Sequence, residues 1–465
     1  MSIETRSIDY VPSSERHGRV RDQGPFWFLG NFHFFTVSIG FIGPSLGLSL
    51  AATAVAGTLG ILFGTLFMAF HASQGADLGL PQMIQSRAQF GYRGVLVPLF
   101  GALFTFLGFN VINTIIVAQG LDTIWHFDPV VVAAALAVIA AALAICGHDW
   151  LHRAFRLLFW INLPLVTMLT LGIVFGAVPS PAGAVAAGFS WAAFLTQFAA
   201  AASYNITYAP YVSDYSRYLP ADTPRGRIIA NVYAGAALSA IWLIWLGAWL
   251  ATHTGAKDGV SALVQAGNSL FGGLGTLLAL VSIGALVATM GINAYSGMLT
   301  IVTVLDSIRP VRPTLRLRIV FIVVLALAWF GIAASFGGDA VDALNATLIV
   351  MLYLLCPWTA VNLVDYFALR KGRYAITDLA RPDGIYGVWS RRGLFAYFAG
   401  LLASMPFFAI HHVWIGPIAR AIDGIDVAWL VGLAVAAAAY LWASREFDIV
   451  DELPAIAASE AELKP

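Results

Sequence analysis

Five small polar residues, Ser282, Thr289, Asn293, Ser296 and Thr300, fall at intervals of 7, 4, 3 and 4 inside one apolar stretch, the spacing of a single helix face. A Ser/Thr stripe serves close helix packing as readily as ligand contact. Asn293 at its middle is different, because a carboxamide carries donors and an acceptor that all need partners. Phe109 and Asn113 stand at i and i+4 in another apolar stretch, with Thr105 and Asn110 adjoining. A phenylalanine there can be plain packing, but a ring followed one turn later by a carboxamide also suits a planar ligand that hydrogen-bonds at its edge. The chemistry such residues do is recognition. No nucleophile with its base, carboxylate pair or metal cluster converges within the apolar stretches, which argues against an enzyme. His148 and His152 stand at i and i+4 but lie beside Asp149, Arg153 and Arg156, a charged turn more readily than a metal site. Cys146 and Cys356 lie in apolar runs without metal-like spacing and read as buried small hydrophobes.

Two interruptions point to where a ligand would sit. One apolar run contains Ser38, Gly40, Gly43, Pro44 and Gly47 in SIGFIGPSLG, and another contains Asn205, Thr207 and Pro210 in SYNITYAPY. Helix breakers in corresponding places of two halves mark inverted-repeat carriers, where unwound backbone at mid-membrane is satisfied by protein, water, substrate or ion. Gly and Pro are also ordinary packing and kink residues in membrane helices. His33 is the one ionisable group deep in this pathway. It reads either as a neutral histidine bonded to a neighbouring helix or as a site wall or proton-linked switch.

The elements that must position these residues are membrane helices. The chain is 59% hydrophobic and 11% charged, against about 25% charged in an ordinary soluble domain, and its mean hydropathy is +0.81. The apolar stretches are about 20 residues or longer, which calls for helices and not a barrel. They place spans 1 to 12 at 26–50, 52–72, 95–121, 129–147, 157–178, 190–211, 228–252, 272–304, 318–336, 341–364, 393–412 and 425–443. The first 25 residues are polar with no apolar core, so no cleavable signal peptide is expected and span 1 is the insertion signal. With these spans, 23 of the 25 Lys and Arg residues fall on the side of the N-terminus, leaving only Lys257 and Arg420 opposite. That segregation is the positive-inside pattern, with both termini in the cytoplasm. No Lys, Arg, Asp or Glu stands near the middle of a span, unlike a charge-conducting pore. The 25 basic and 25 acidic residues cancel, so no global field points to nucleic acid. Nothing in the pattern speaks to an oligomeric state.

Five ordered segments carry a resemblance: VPSSERHGRVRDQGPFWFLGNF into span 1, GADLGLPQMIQSRAQFGYRG between spans 2 and 3, YAPYVSDYSRYLP closing span 6, PWTAVNLVDYFALRKGRY closing span 10 and DGIYGVWSRRGLFAYFAG entering span 11. From about Pro12 to span 12 the chain resembles the bacterial purine and cytosine permease branch of the nucleobase:cation symporter family one. The resemblance implies an all-α LeuT-type fold of two inverted five-helix repeats plus two C-terminal helices, with spans 1 and 6 broken. It divides the chain into an N-terminal segment (1–25), a first repeat (26–178), a second repeat (190–364), two additional helices (393–443) and a C-terminal tail (444–465).

It also implies uptake, across the cytoplasmic membrane, of a nucleobase or related planar heterocycle of the cytosine, purine, uracil, allantoin, hydantoin or vitamin-precursor class. Uptake would be coupled to Na⁺ or H⁺, with no other cofactor. A carrier of the same fold for an amino acid or vitamin is the alternative within transporters, and a channel is a further one. Members of the family typically sandwich the substrate ring between an aromatic on span 3, usually Trp, and one on the unwound part of span 6. Phe109 matches the first position, with Asn113 one turn on, and Tyr204, Asn205 and Tyr208 bracket the second. Asn293 matches the span 8 Asn that bonds the ring. Phe in place of Trp reduces the stacking area, which disfavours an ordinary cytosine or bicyclic purine. The family's sodium site maps to Gly30, His33 and Phe34 on span 1 and to Val287, Ala288 and Thr289 on span 8. The expected hydroxyl pair falls near Val287 and Ala288, leaving Thr289 the nearest hydroxyl, so both ions stay open.

Overall fold

The computed structural model describes residues 8–180, 188–311, 314–410 and 413–464, without the side chains of 148–149. Among them, eight helices are long and apolar enough to cross a bilayer. They are Leu50–Leu78, Leu96–Trp125, Pro129–Cys146, His148–Val174, Arg225–His253, Leu274–Ile308, Leu315–Ala334 and Ala340–Leu363. They realise spans 2 to 5 and 7 to 10. The starts follow local chemistry: Asp128 Oδ1 accepts from the amides of Val130 and Val131 (2.8 and 3.2 Å) just ahead of Pro129, and Asp339 Oδ1 does the same for Val341 and Asp342 (2.8 and 3.0 Å).

Span 1 is a bent pair, with Val20–Asn31 meeting the helical stretch from Phe34 to Ser45 at 58°. The break therefore falls at Phe32–His33, ahead of the Gly/Pro cluster that suggested it. SIGFIGPSLG instead forms the ragged C-terminal end of the span, where Phe34–Ile39 gives way to the single turn Ile42–Ser45. Span 6 is Trp191–Ile206, then turns through 207–211, then the short helix Val212–Ser216. Here the turns carry Thr207 and Pro210, while Asn205 lies within the helix Trp191–Ile206.

Three further boundaries differ from the sequence reading. The first helix begins at Val20, inside the polar N-terminal segment. Span 11 is helical only over Arg391–Ser404; Pro406 follows, and the chain turns into a short hairpin pairing Ala409–Ile410 with Trp414–Ile415. Span 12 starts at Ala428, and the tail beyond it is not featureless, since Leu453–Leu463 is a helix. An amphipathic helix, Gly259–Leu270, also lies between spans 7 and 8.

Packing sorts the helices into two groups. Span 1 lies on span 7 and span 6 on span 2, while span 8 packs against spans 3, 4 and 5 and span 9 against spans 3 and 4. Glycine sets the closest approaches: a Cβ on Gly64 would run into the carbonyl of Ala202, and one on Gly247 into that of Val37. The 1–7 and 6–2 contacts exchange under a shift of five helices.

Candidate substrate and ion site

Residues Phe32 and His33 contain no helix breaker, so something must hold span 1 open there. Side chains from three other spans do. The Gly30 carbonyl accepts from the Tyr208 hydroxyl (2.9 Å) and from His33 Nε2 (3.0 Å), and the Phe32 carbonyl accepts from Asn162 Nδ2 (2.6 Å). The Phe34 amide donates to Ser282 Oγ (2.7 Å), tying the break to span 8. Asn31 Nδ2 donates to both Asn205 Oδ1 and the Ala236 carbonyl (2.9 Å each), and Asn205 Nδ2 donates to Thr65 Oγ1 (2.6 Å). Thr36 Oγ1 donates to the Asn31 carbonyl (2.5 Å) and accepts from the Tyr204 hydroxyl (2.8 Å). Freed backbone groups in an apolar interior cost several kcal/mol each unless paired, on the order of the desolvation penalty of an amide. This network satisfies them and joins spans 1, 2, 5, 6, 7 and 8.

Beside the break lies a buried cluster of aromatic rings. Phe109 of span 3 and Tyr208 of the span 6 turn are nearly parallel, 6.4 Å apart at 20°, whereas Tyr204 meets Phe109 edge-on at 6.2 Å and 69°. Phe35 closes a third side, 5.6 Å from Phe109. Asn293 Nδ2 donates to Asn110 Oδ1 (3.0 Å), and Asn110 Nδ2 donates to the Met290 carbonyl (3.2 Å). The carboxamide oxygens of Asn113 and Asn293 and the Ser296 hydroxyl are buried without a hydrogen-bond partner. Such acceptors are costly to leave unmet, which is how a site awaits donors from outside the protein.

The structure thus brings Phe109, Tyr204, Tyr208 and Asn293 to one region on spans 3, 6 and 8. Asn205 sits in the hinge instead, its amide engaged on both sides. Of the span 1 residues matched to an ion site, Gly30 has its carbonyl bonded by Tyr208, and Phe34 meets span 8 through Ser282. Thr289 Oγ1 donates to the Ala285 carbonyl one turn back (3.2 Å), and Val287 and Ala288 carry no hydroxyl. Among the described residues no cluster of three His, Cys, Asp or Glu is spaced to hold a metal ion; the His148 side chain lies outside them. Asn31, Thr36, Thr65 and Asn162 escaped the sequence reading as site elements, since their partners lie far away along the chain.

Residues 10–432 match the protein family described as permease for cytosine/purines, uracil, thiamine, allantoin. The chain belongs to this permease family. It is 34% identical over 444 residues to the putative purine-cytosine permease YxlA of Bacillus subtilis, covering 95% of each chain. It is 25% identical to the purine-cytosine permease fcyB of Emericella nidulans, covering 97% of this chain and 89% of that one. In fold the permease superposes on Mhp1, a nucleobase-cation-symport-1 family transporter in a closed conformation with bromovinylhydantoin bound, at a TM-score of 0.74 and 19% identity, covering 99% and 100% of the two chains. A Na⁺-coupled sialic acid symporter in a substrate-bound outward-open state superposes at 0.67 with 12% identity, covering 95% and 93%. The permease is therefore an all-α membrane protein of the LeuT-type fold.

The family motifs meet on the side of the N-terminal segment. The Gln82 amide donates to Asp214 Oδ1 (3.0 Å), Ser213 Oγ donates to Gln82 Oε1 (2.6 Å), Gln82 Nε2 donates to Gln74 Oε1 (3.0 Å), and Gln74 Nε2 donates to Asn362 Oδ1 (2.8 Å). One chain of side chains thus links the loop after span 2 to the ends of spans 6 and 10.

Proposed function

We propose that this permease imports a nucleobase or related planar heterocycle by symport with Na⁺ or H⁺, through alternating access around the breaks in spans 1 and 6. The observation that carries this is the near-parallel pair Phe109–Tyr208, flanked by the unpartnered carboxamide oxygens of Asn113 and Asn293. Stacking on an aromatic is worth about 1–3 kcal/mol per base and is tolerant of ring identity. The carboxamides supply selectivity, because they read ring N–H and C=O groups in pairs. Phe109 and Tyr208 form the two faces of the slot, Asn293 and Asn113 its edge, and Tyr204 a wall. Carbonyls at Gly30, His33 and Phe34 together with Ala288 and Thr289 line the route for the cation, with Na⁺ or H⁺ coupling open.

In this reading spans 26–178 and 190–364 are inverted repeats, supported by the exchange of the 1–7 and 6–2 contacts. Twelve spans cross the cytoplasmic membrane with both termini inside, supported by the clustering of Lys and Arg. Uptake of radiolabelled cytosine, adenine, uracil and allantoin into proteoliposomes, with a Na⁺ or an H⁺ gradient imposed one at a time, tests it. Accumulation of at least one ring, driven by one of the gradients, is expected. Flux that never exceeds equilibration, or competition only by amino acids, would overturn it.

A further inference from the structure

On the N-terminal side, the first turns of span 1 and the start of span 5 frame a cavity of about 620 Å³. Its wall carries Arg19, Arg21 and Arg156, with Asp22 as the one carboxylate among its lining residues. All three arginines are exposed, and none is paired with a carboxylate among the described residues. By contrast, Arg87, Arg370 and Arg225 hold ion pairs.

The cavity is not a closed bowl. Pro25 and Phe159 belong both to it and to an apolar cleft between span 1 and span 7, and Trp160 belongs both to it and to an apolar cleft along span 5 that runs past Pro164 to Leu171. Arg156 lies one turn before Phe159 and Trp160 on the same helix, so span 5 passes from charge to aromatic to aliphatic in the order of a bilayer's headgroup, interface and chain layers. Trp160 is 68% exposed, with Leu171 at 47% further along.

We propose that this continuous surface binds one anionic phospholipid of the leaflet facing the N-terminal segment. Its phosphate headgroup sits among Arg19, Arg21 and Arg156, and its acyl chains lie in the two apolar clefts on either side of Phe159 and Trp160. A soluble anion would use the basic cavity but have no use for the clefts, and a zwitterionic lipid would fill the clefts but gain little from three unpaired guanidinium groups beside one carboxylate. The bound lipid would bridge the N-terminal half of span 1 to span 5. This site shares no lining residue with the proposed substrate site and needs only that the apolar helices lie in a bilayer.

Delipidated full-length protein in detergent, titrated with phosphatidylglycerol or phosphatidylcholine and read by native mass spectrometry, tests the proposal. Retention of one phosphatidylglycerol at least fivefold above phosphatidylcholine is expected, falling to the phosphatidylcholine level in the R21Q/R156Q variant. Equal retention of the two lipids by the wild type, or undiminished preference in the variant, would overturn it. So would displacement of the bound lipid by millimolar inorganic phosphate, which would mark a site for soluble anions. The wild-type comparison stands whether or not the variant folds, and the readout is independent of any transported solute.

Discussion

The ring centroids of Phe109 and Tyr208 lie 6.4 Å apart with their planes 20° from parallel, although the two residues come from different spans. Carbon atoms in contact sit about 3.5–4.0 Å apart, so a planar ring stacked on both faces needs roughly 7 Å between its neighbours. A heterocycle held between the two side chains, as proposed, requires them to part to about that separation. Phe109→Ala removes one face and is expected to weaken heterocycle binding roughly tenfold to a hundredfold, the equivalent of about 1–3 kcal/mol. Phe109→Trp restores or strengthens binding of bicyclic rings. Isothermal titration of purified protein reads both, and unchanged affinity in Phe109→Ala would remove Phe109 from the site.

Asn293 does not act alone. Its Nδ2 is held by Asn110, which is itself fixed by the Met290 carbonyl, so the free Asn293 oxygen is aimed by a residue on another span. Asn110→Ala should therefore reduce affinity nearly as much as Asn293→Ala, and the double variant should lose little more than either single one. A double-mutant cycle on ligand affinity measures this coupling. Fully additive losses would mean that the two carboxamides work independently.

How much of this was legible in the sequence depends on how far apart the partners lie. Phe109, Asn113 and the span 8 stripe could be found because a helix face repeats within a few residues. The position of the span 1 break could not. Glycine and proline at 40–47 drew it outward, but the helix actually opens at Phe32–His33, where only distant side chains, Asn162, Tyr208 and Ser282, hold the backbone apart. The same holds for the tail: nothing local in 444–465 announced its docking, yet Ile456 is buried in one apolar cluster with Leu78, Leu80 and Tyr374, residues from two other segments.

That tail is clamped. Arg370 reaches Asp365 at the end of span 10 and, through two nitrogens, both carboxylate oxygens of Glu452 (2.8 and 2.7 Å), while the Thr377 amide donates to Ser459 Oγ (3.0 Å). Breaking a buried pair from one side costs about 3–5 kcal/mol, because the remaining charge is stranded. Arg370→Ala strands the fully buried Asp365 and is expected to lower thermal stability steeply, whereas Glu452→Ala leaves the Arg370–Asp365 pair and costs less. Limited proteolysis should release residues 449–463 faster in Glu452→Ala than in wild type. Equal protection would show that apolar packing of Ile456 holds the tail by itself.

In the hinge, Asn205 joins Asn31 on one side to Thr65 on the other (2.9 and 2.6 Å). Asn205→Ala leaves the Thr65 hydroxyl and one donor of Asn31 without that partner in an apolar interior, at a cost of about 1–3 kcal/mol for each buried group left unmet. The expected result is a lower melting temperature together with altered substrate affinity, since the break it braces also carries the Tyr208 bond to Gly30. A variant with wild-type stability and affinity would show that the hinge does not depend on this amide.

Asp426, two residues ahead of the last span, supplies a pH dependence on the other side of the molecule. It is 1% exposed, and burial pushes its carboxyl up from 3.8 to about 7, against the opposing pull of hydrogen bonds from the Tyr353 hydroxyl (2.8 Å) and the Ala428 amide (3.0 Å). A carboxyl whose pKa is higher folded than unfolded binds its proton more tightly in the fold. Its contribution to stability is therefore complete below about pH 4 and is lost as pH rises through about 7. Melting temperature measured between pH 5 and 8.5 should fall, and Asp426→Asn, which cannot ionise, should flatten that slope. The Tyr353 hydroxyl that donates to Asp426 also accepts the Ala409 amide (2.8 Å), which ties Asp426 to the hairpin that follows span 11. If the slope is identical in wild type and Asp426→Asn, the pH dependence arises from other groups and the Tyr353–Asp426 contact is electrostatically inert.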